Sequence, residues 1–312
     1  MIEIEHAGKR YDDRVVVDDV SLSVPAGEIA VVVGQSGAGK STLLRMINRL
    51  VEPSEGRILV AGRDTRSVPG PELRRGIGYV IQGNGLFPHR TVAGNIATVP
   101  RLLGWDRVRI AARVDELLDL FGLDPAVFAG RYPAALSGGE QQRVGVARAL
   151  AAAPAVLLMD EPFGALDPII RGKAQTDLKA IQRRLGTTVV MVTHDMEEAI
   201  LLGDRIAVME GGRLAQYDPP AEILADPADD GVAAMISGSE RPFRLLSLTT
   251  AAEAAEPGAA EGAPVAGSAT LREALAELLW SGRDACPVVG DDGRPLGRLT
   301  RAALIARAAR PQ

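Results

Sequence analysis

Apolar and polar residues follow distinct patterns along this chain. Ile2-Glu3-Ile4 and Val20-Ser21-Leu22-Ser23-Val24 alternate, which predicts half-exposed antiparallel strands near the N-terminus. Ile29 to Val33, Val156 to Met159 and Thr188 to Thr193 do not alternate. Continuous apolar runs of this length predict strands covered on both faces, as in a parallel sheet. Residues 107–153 read mainly as helix, Ile206 to Leu214 as a hairpin around Gly211-Gly212, and Pro220 to Ala225 as a further helix. Residues 251–269 lack aromatics and are rich in Ala, Gly, Pro and Glu, which predicts a linker. Beyond it, Thr270 to Leu279 carries the 3.6-residue period of an amphipathic helix. Pro287-Val288-Val289 and Leu296 to Thr300 read as strands about the turn Asp291-Asp292-Gly293-Arg294, with a helix from Arg301. Strands interleaved with helices give an α/β fold class.

A length of 312 residues predicts two domains, one large and one small. No apolar run approaches the ~20 residues of a membrane helix, and no signal peptide is read, so the expectation is a soluble chain. Cys286 is the single cysteine, which excludes an intrachain disulfide and fits a reducing cytosol. Beside Pro287-Val288-Val289 it is expected to be a small buried hydrophobe. The formal net charge of −5 gives no support for nucleic-acid binding. His6 and His89 read as structural or surface residues, and Trp105 and Trp280 as packing residues.

The chemistry concentrates after the first buried strand. Gly34-Gln35-Ser36-Gly37-Ala38-Gly39-Lys40-Ser41 is a complete G-x-x-x-x-G-K-S loop, followed by the helical stretch from Thr42 to Ile47. Glycines let successive backbone N–H groups curl around an anion, and the helix dipole adds positive potential there. Lys40 can reach outer phosphates and Ser41 can hold Mg²⁺. A second segment, Leu136-Ser137-Gly138-Gly139-Glu140-Gln141-Gln142-Arg143, precedes a helix, with Ser137 and Glu140 spaced as a capping box. The strand Val156 to Met159 ends in Asp160-Glu161.

Together these motifs resemble the ATP-binding cassette (ABC) ATPases, with LSGGEQQR similar to that family's signature sequence. The resemblance covers about residues 1–237 and implies a P-loop NTPase cassette with an antiparallel β subdomain and a helical subdomain. It implies ATP and Mg²⁺ as cofactors. Tyr11 matches the aromatic that stacks on adenine, or is an ordinary surface aromatic. Residues Gly34 to Thr42 would bind the phosphates, with Ser41, Gln82 and Asp160 at the metal. Glu161 matches the general base, or else a carboxylate supporting the metal ligand. His194, at a strand end where α/β sites lie, matches the residue that senses the γ-phosphate, or is a satisfied structural histidine. Gln82 and Lys40 complete the catalytic set. Ser137, Gly138 and Gly139 would complete the site of an opposite subunit, and Ala165-Leu166-Asp167 would meet that subunit. The expected assembly is a head-to-tail homodimer.

Within the family, Ile77 to Trp105 and Met159 to Ile169 resemble importers of quaternary amines such as glycine betaine, choline, carnitine or proline betaine, with Gly83-Asn84 a departure. The implied partners are integral membrane permeases and an extracytoplasmic solute-binding protein, with no nucleic acid. The implied place is peripheral, on the cytoplasmic face of the cell (inner) membrane. An importer for another amino-acid-like solute, or a non-transport ABC ATPase, are the alternatives. The expected organisation is a nucleotide-binding domain over 1–237, a linker over 238–269 and a small α+β repeat over 270–312. That repeat resembles a single cystathionine-β-synthase (CBS) repeat, with Leu245-Leu246-Ser247-Leu248 as its first strand or a remnant of another copy. Ala303 stands where that family's adenosine-binding pattern has an aspartate, three residues after Thr300. Arginines 294, 298, 301, 307 and 310 face either anionic lipid, a nucleotide or only solvent.

Overall fold

The computed structural model describes residues 1–309 apart from Asn84, Ala165, Ser237 and the side chain of Ile169. Expectations that fall on Asn84, Ala165, Ser237 and Arg310 therefore lie outside the described residues. The chain divides into two compact units, Met1–Asp218 and Pro219–Gln312. In chain order the first unit contains β1 (Ile2–Tyr11), β2 (Arg14–Val24), β3 (Ile29–Gly34), α1 (Lys40–Ile47), β4 (Glu55–Val60), β5 (Arg63–Asp64), α2 (Gly70–Arg75) and β6 (Ile77–Val80). It continues through α3 (Val92–Ile96), α4 (Thr98–Leu102), α5 (Arg107–Leu120), α6 (Pro125–Phe128), α7 (Gly138–Leu150), β7 (Val156–Asp160) and α8 (Pro168–Leu185). It closes with β8 (Thr188–Thr193), α9 (Met196–Leu202), β9 (Arg205–Glu210) and β10 (Arg213–Asp218).

The alternating segments pair as predicted. β1 and β2 run antiparallel with Ile4 opposite Leu22, within a sheet of order β2-β1-β4-β5. The continuous apolar runs become the middle of a second sheet, of order β10-β9-β3-β8-β7-β6. Every residue of β3, β7 and β8 is buried, which is why these strands carry no polar alternation. β3, β8, β7 and β6 are mutually parallel, with Val33 opposite Thr193, Asp160 opposite Val192 and Val80 opposite Met159. Their C-terminal ends thus lie along one edge. Leu43, Leu44, Met46 and Ile47 of α1 join Val32, Val190 and Val192 in one core cluster with β1 and β2 residues.

The second unit contains α10 (Pro220–Ala225), α11 (Asp230–Met235), α12 (Arg241–Ser247), α13 (Ala251–Ala254), β11 (Val265–Ala266), α14 (Leu271–Ser281), β12 (Ala285–Val289), β13 (Pro295–Thr300) and α15 (Arg301–Ala308). Its sheet order is β11-β12-β13, with β11 parallel and β13 antiparallel to β12. Its core holds Ala251, Ala254, Val265, Leu271, Leu278, Cys286 and Leu299, so the thiol is a buried hydrophobe as expected.

Three expectations are corrected here. Leu245-Leu246-Ser247-Leu248 is not a strand: Leu245 to Ser247 lie in α12, whose first turn carries Pro242 and which buries Leu246. Within 251–269, α13 and β11 place Ala251, Ala254 and Val265 in the core. This segment adds only two alanines and a valine to the buried core, without the large apolar residues by which composition distinguishes a packed segment from a linker. Trp280 is 92% exposed rather than packed. Leu271, Ala274, Leu275 and Leu278 form the buried stripe of α14, and Trp280 falls on the opposite side of the helix from Leu271.

Candidate active site

Four neighbouring strands end at the same edge of the parallel sheet, and each delivers a different group. β3 leads into the glycine loop, β8 into His194, β7 into Asp160-Glu161, and β6 into Gln82 two residues on. Gly39 caps the start of α1 with φ +91°, and a Cβ there would lie 2.4 Å from the Val16 carbonyl oxygen. Both the backbone conformation and the close approach of β2 therefore require glycine at this position.

A cavity of about 620 Å³ opens over the loop. Ser36, Gly37, Ala38, Gly39, Lys40, Ser41 and Thr42 line its floor, and Gln82, Glu161 and His194 line it from the sheet edge. Tyr11, Arg14 and Val16 reach it from the β1–β2 hairpin. Tyr11 is half exposed, with Lys9 Nζ over its ring 4.8 Å from the centroid. Gly34 and Gln35 do not line the cavity; their carbonyls accept from Lys40 Nζ at 2.7 and 2.9 Å. Burial pushes the Lys40 ammonium below its usual range, opposed by the carboxylates of Glu161 and Asp160.

Buried Asp160 accepts from Ser41 Oγ at 2.8 Å through one oxygen and from Arg45 Nη2 at 3.3 Å through the other. Glu161 accepts from Gln82 Nε2 at 3.2 Å, while its second oxygen lies 3.6 Å from His194 Nδ1. Glu161 also sits at φ +46°, a left-handed conformation costly for a residue with a side chain and held here by its N–H bonded to the Val192 carbonyl. Such strain aims the carboxylate off the end of the strand and into the cavity.

Ser137, Gly138, Gly139 and Asp167 do not line this cavity. Ser137 caps α7 in a reciprocal box with Glu140, and Gly139 packs against Ile170, where a Cβ would fall 2.8 Å from Ile170 Cγ2. Asp167 caps the start of α8 by accepting from the Ile170 N–H. The contact of Gly139 with Ile170 brings the starts of α7 and α8 together outside the cavity lining. Arg14 and Val16 were not read from the sequence. They reach the cavity because β2 approaches the glycine loop at Gly39, a contact between distant segments with no local signal.

The arrangement combines a cradle of backbone N–H groups, a buried ammonium, a hydroxyl–carboxylate pair and an aimed carboxylate with a histidine and an amide beside it. That set can bind a polyphosphate and activate a water against it. For Mg²⁺ the donors fit: Ser41, Asp160 and Gln82 offer hard oxygens, and Ser41 and Asp160 are already 2.8 Å apart. Among the described residues no cluster of three His, Cys, Asp or Glu side chains forms a closed metal cage. Mg²⁺ bound partly by substrate phosphates and water needs none.

Comparison with known proteins agrees with this geometry. A family model described as "ABC transporter" matches residues 17–164. The chain is 48% identical to the glycine betaine uptake system ATP-binding protein YehX of Escherichia coli (strain K12), over 99% of this chain and 100% of that one. It is 46% identical to the osmoprotectant import ATP-binding protein OsmV of Salmonella typhimurium (strain LT2), over 96% of this chain and 79% of that one. Among solved structures, a dimeric post-hydrolysis state of the ATP-binding cassette MJ0796 bound to ADP and Pi superposes with TM-score 0.62 at 32% identity, over 70% of this chain and 99% of that one.

Proposed function

The chain belongs to the ABC transporter family, and from that premise we propose that it is the ATP-hydrolysing subunit of an importer for quaternary-amine osmoprotectants such as glycine betaine, choline, carnitine or proline betaine. ATP hydrolysis is supported above all by the convergence of Lys40, Ser41, Gln82, Asp160, Glu161 and His194 from four adjacent strands at one edge. The solute class is supported by identity that runs through the tail as well as the cassette.

ATP is the substrate. Tyr11 would stack on the base, and the N–H groups from Ser36 to Thr42 with Lys40 Nζ would hold the phosphates. Lys40 then exchanges its bonds to the Gly34 and Gln35 carbonyls for phosphate oxygens. Ser41, Asp160 and Gln82 would hold Mg²⁺, which supplies charge neutralisation between the phosphates when bound. Glu161 takes a proton from water as its oxygen bonds to the γ-phosphorus. The bond to the bridging oxygen breaks, and ADP and phosphate leave. Gln82 and His194, on either oxygen of Glu161, orient the carboxylate and the water.

Ser137, Gly138, Gly139 and Asp167 are assigned to the opposite protomer's nucleotide, which calls for a head-to-tail homodimer with two ATP molecules at its interface. Membrane permeases and an extracytoplasmic solute-binding protein complete the proposed assembly, with this subunit peripheral on the cytoplasmic face. Among the described residues no helix is long and apolar enough to cross a membrane, which is compatible with that placement. The order α14-β12-β13-α15 supports reading residues 270–312 as a CBS-like repeat. Thr300 caps α15 by accepting from the Ala303 N–H. Labelled glycine betaine and choline uptake at high osmolarity tests the proposal. Uptake is expected with this chain and lost with Glu161→Gln; equal uptake by both would remove the solute assignment.

A further inference from the structure

A second carboxylate shares a small cavity with the first. Glu198 lies on α9, only 5% exposed, and both of its oxygens are used. Thr193 Oγ1, at the end of β8, donates to Oε2 at 2.7 Å. Gln175 Nε2, on α8, donates to Oε1 at 3.1 Å. Thr193 Oγ1 also accepts from the Asp195 N–H at 3.1 Å, so its own proton is committed to Glu198. Gln175 and Thr193 are themselves buried. His194 therefore sits between two residues, Thr193 and Asp195, that the same hydroxyl fixes.

The link continues on the α8 side. Arg171 Nη2 donates to the Leu166 carbonyl at 3.0 Å, and its Nη1 lies 4.0 Å from Asp195 Oδ2. A cavity of about 30 Å³, room for roughly one water, is lined by Glu161, Gly164, Arg171, Thr193, His194, Asp195 and Glu198. Glu161 and Glu198 thus line a common space. Burial pushes the Glu198 carboxyl above its usual range, opposed by the Thr193 and Gln175 hydrogen bonds.

We infer that Glu198 is a positioning residue: by bridging α8 to the end of β8 it holds His194 in register with Glu161, and so sets turnover without touching the nucleotide. This rests on the proposed roles of Glu161 and His194. What matters is reach, since the carboxylate must span from Thr193 to Gln175. Glu198→Gln keeps the length and one acceptor. Glu198→Asp keeps the charge but is one methylene short, and Glu198→Ala removes the bridge.

The test is steady-state ATPase kinetics of the three variants, with thermal unfolding as a fold control. Ala and Asp are expected to lower kcat about tenfold or more, with Gln near the parent and KM for ATP within about twofold throughout. The chain has three histidines, so the His194 imidazole signal in ¹H–¹³C spectra is assignable with a His194→Ala variant. That signal is expected to shift in the Ala and Asp variants and not in the Gln variant. Two kinetic results overturn the inference: Ala within twofold of the parent in kcat, or activity that follows charge, with Asp retained and Gln lost. An unshifted His194 signal in a folded Ala variant overturns it as well, independently of activity. If Glu161→Gln itself keeps full ATPase activity, the fault lies with the proposed function instead.

Discussion

At the scale of single residues, the structure separates groups aimed at the cavity from groups that merely share their type. Glu161 and Glu198 are both carboxylates near His194, but one is strained into the cavity and the other is buried behind it. Tyr217 shows the same dependence on surroundings. Its hydroxyl donates to the Ser23 carbonyl at 2.8 Å, and burial pushes its pKa to about 12 from a usual 10.0. The unfolded chain releases that proton near pH 10, whereas the folded chain keeps it until about pH 12. Between those values the unfolded state binds fewer protons, so stability falls as pH rises. The contribution is complete below pH 10 and lost by about pH 12. Tyr217→Phe is expected to flatten this alkaline loss, by at most about 2 kcal/mol, in urea unfolding across the alkaline range.

At the scale of elements, helix starts are chemically defined. α7 and α14 each begin with a reciprocal box, Ser137 with Glu140 and Thr270 with Glu273. Hydrogen bonds from Ser137 hold the Glu140 carboxyl below its usual range. Ser137→Ala is expected to destabilise the chain by about 1 kcal/mol and Ser137→Thr by much less, measured by urea unfolding. Only the first change removes the oxygen that accepts from the third N–H of the helix. Thr270 gives an independent comparison in the second unit, where no nucleotide role is proposed.

At the scale of the whole molecule, the separation of Ser137, Gly139 and Asp167 from the cavity is the observation with the largest consequence. A site finished by a second protomer forms only when nucleotide bridges the two, and hydrolysis releases it. Glu161→Gln is therefore expected to double in mass by light scattering in saturating Mg-ATP and to remain monomeric with ADP. A monomer under both conditions would exclude the nucleotide-bridged dimer.

What the sequence determined by itself was whatever is local in chain or in pattern. The glycine loop, Ser137 with Glu140, and the acidic strand end are contiguous, and their chemistry is legible because neighbours in sequence stay neighbours in space. The buried parallel strands were equally legible, since a strand covered on both faces admits no polar alternation. Tertiary structure alone decided which of these parts meet. Strand order β3-β8-β7-β6 brought Gln82, Asp160, Glu161 and His194 to one edge, and the β1–β2 hairpin added Arg14 and Val16. It also placed Glu198 inside: in sequence it follows Glu197 on an ordinary amphipathic helix, and only packing against α8 and β8 buries one of the two. Composition could not distinguish a packed segment from a linker at 251–269, because the small side chains it adds to the core lack the apolar bulk that marks a core in sequence. Burial and strand neighbourhood are properties of distant segments in contact, and no local pattern encodes them.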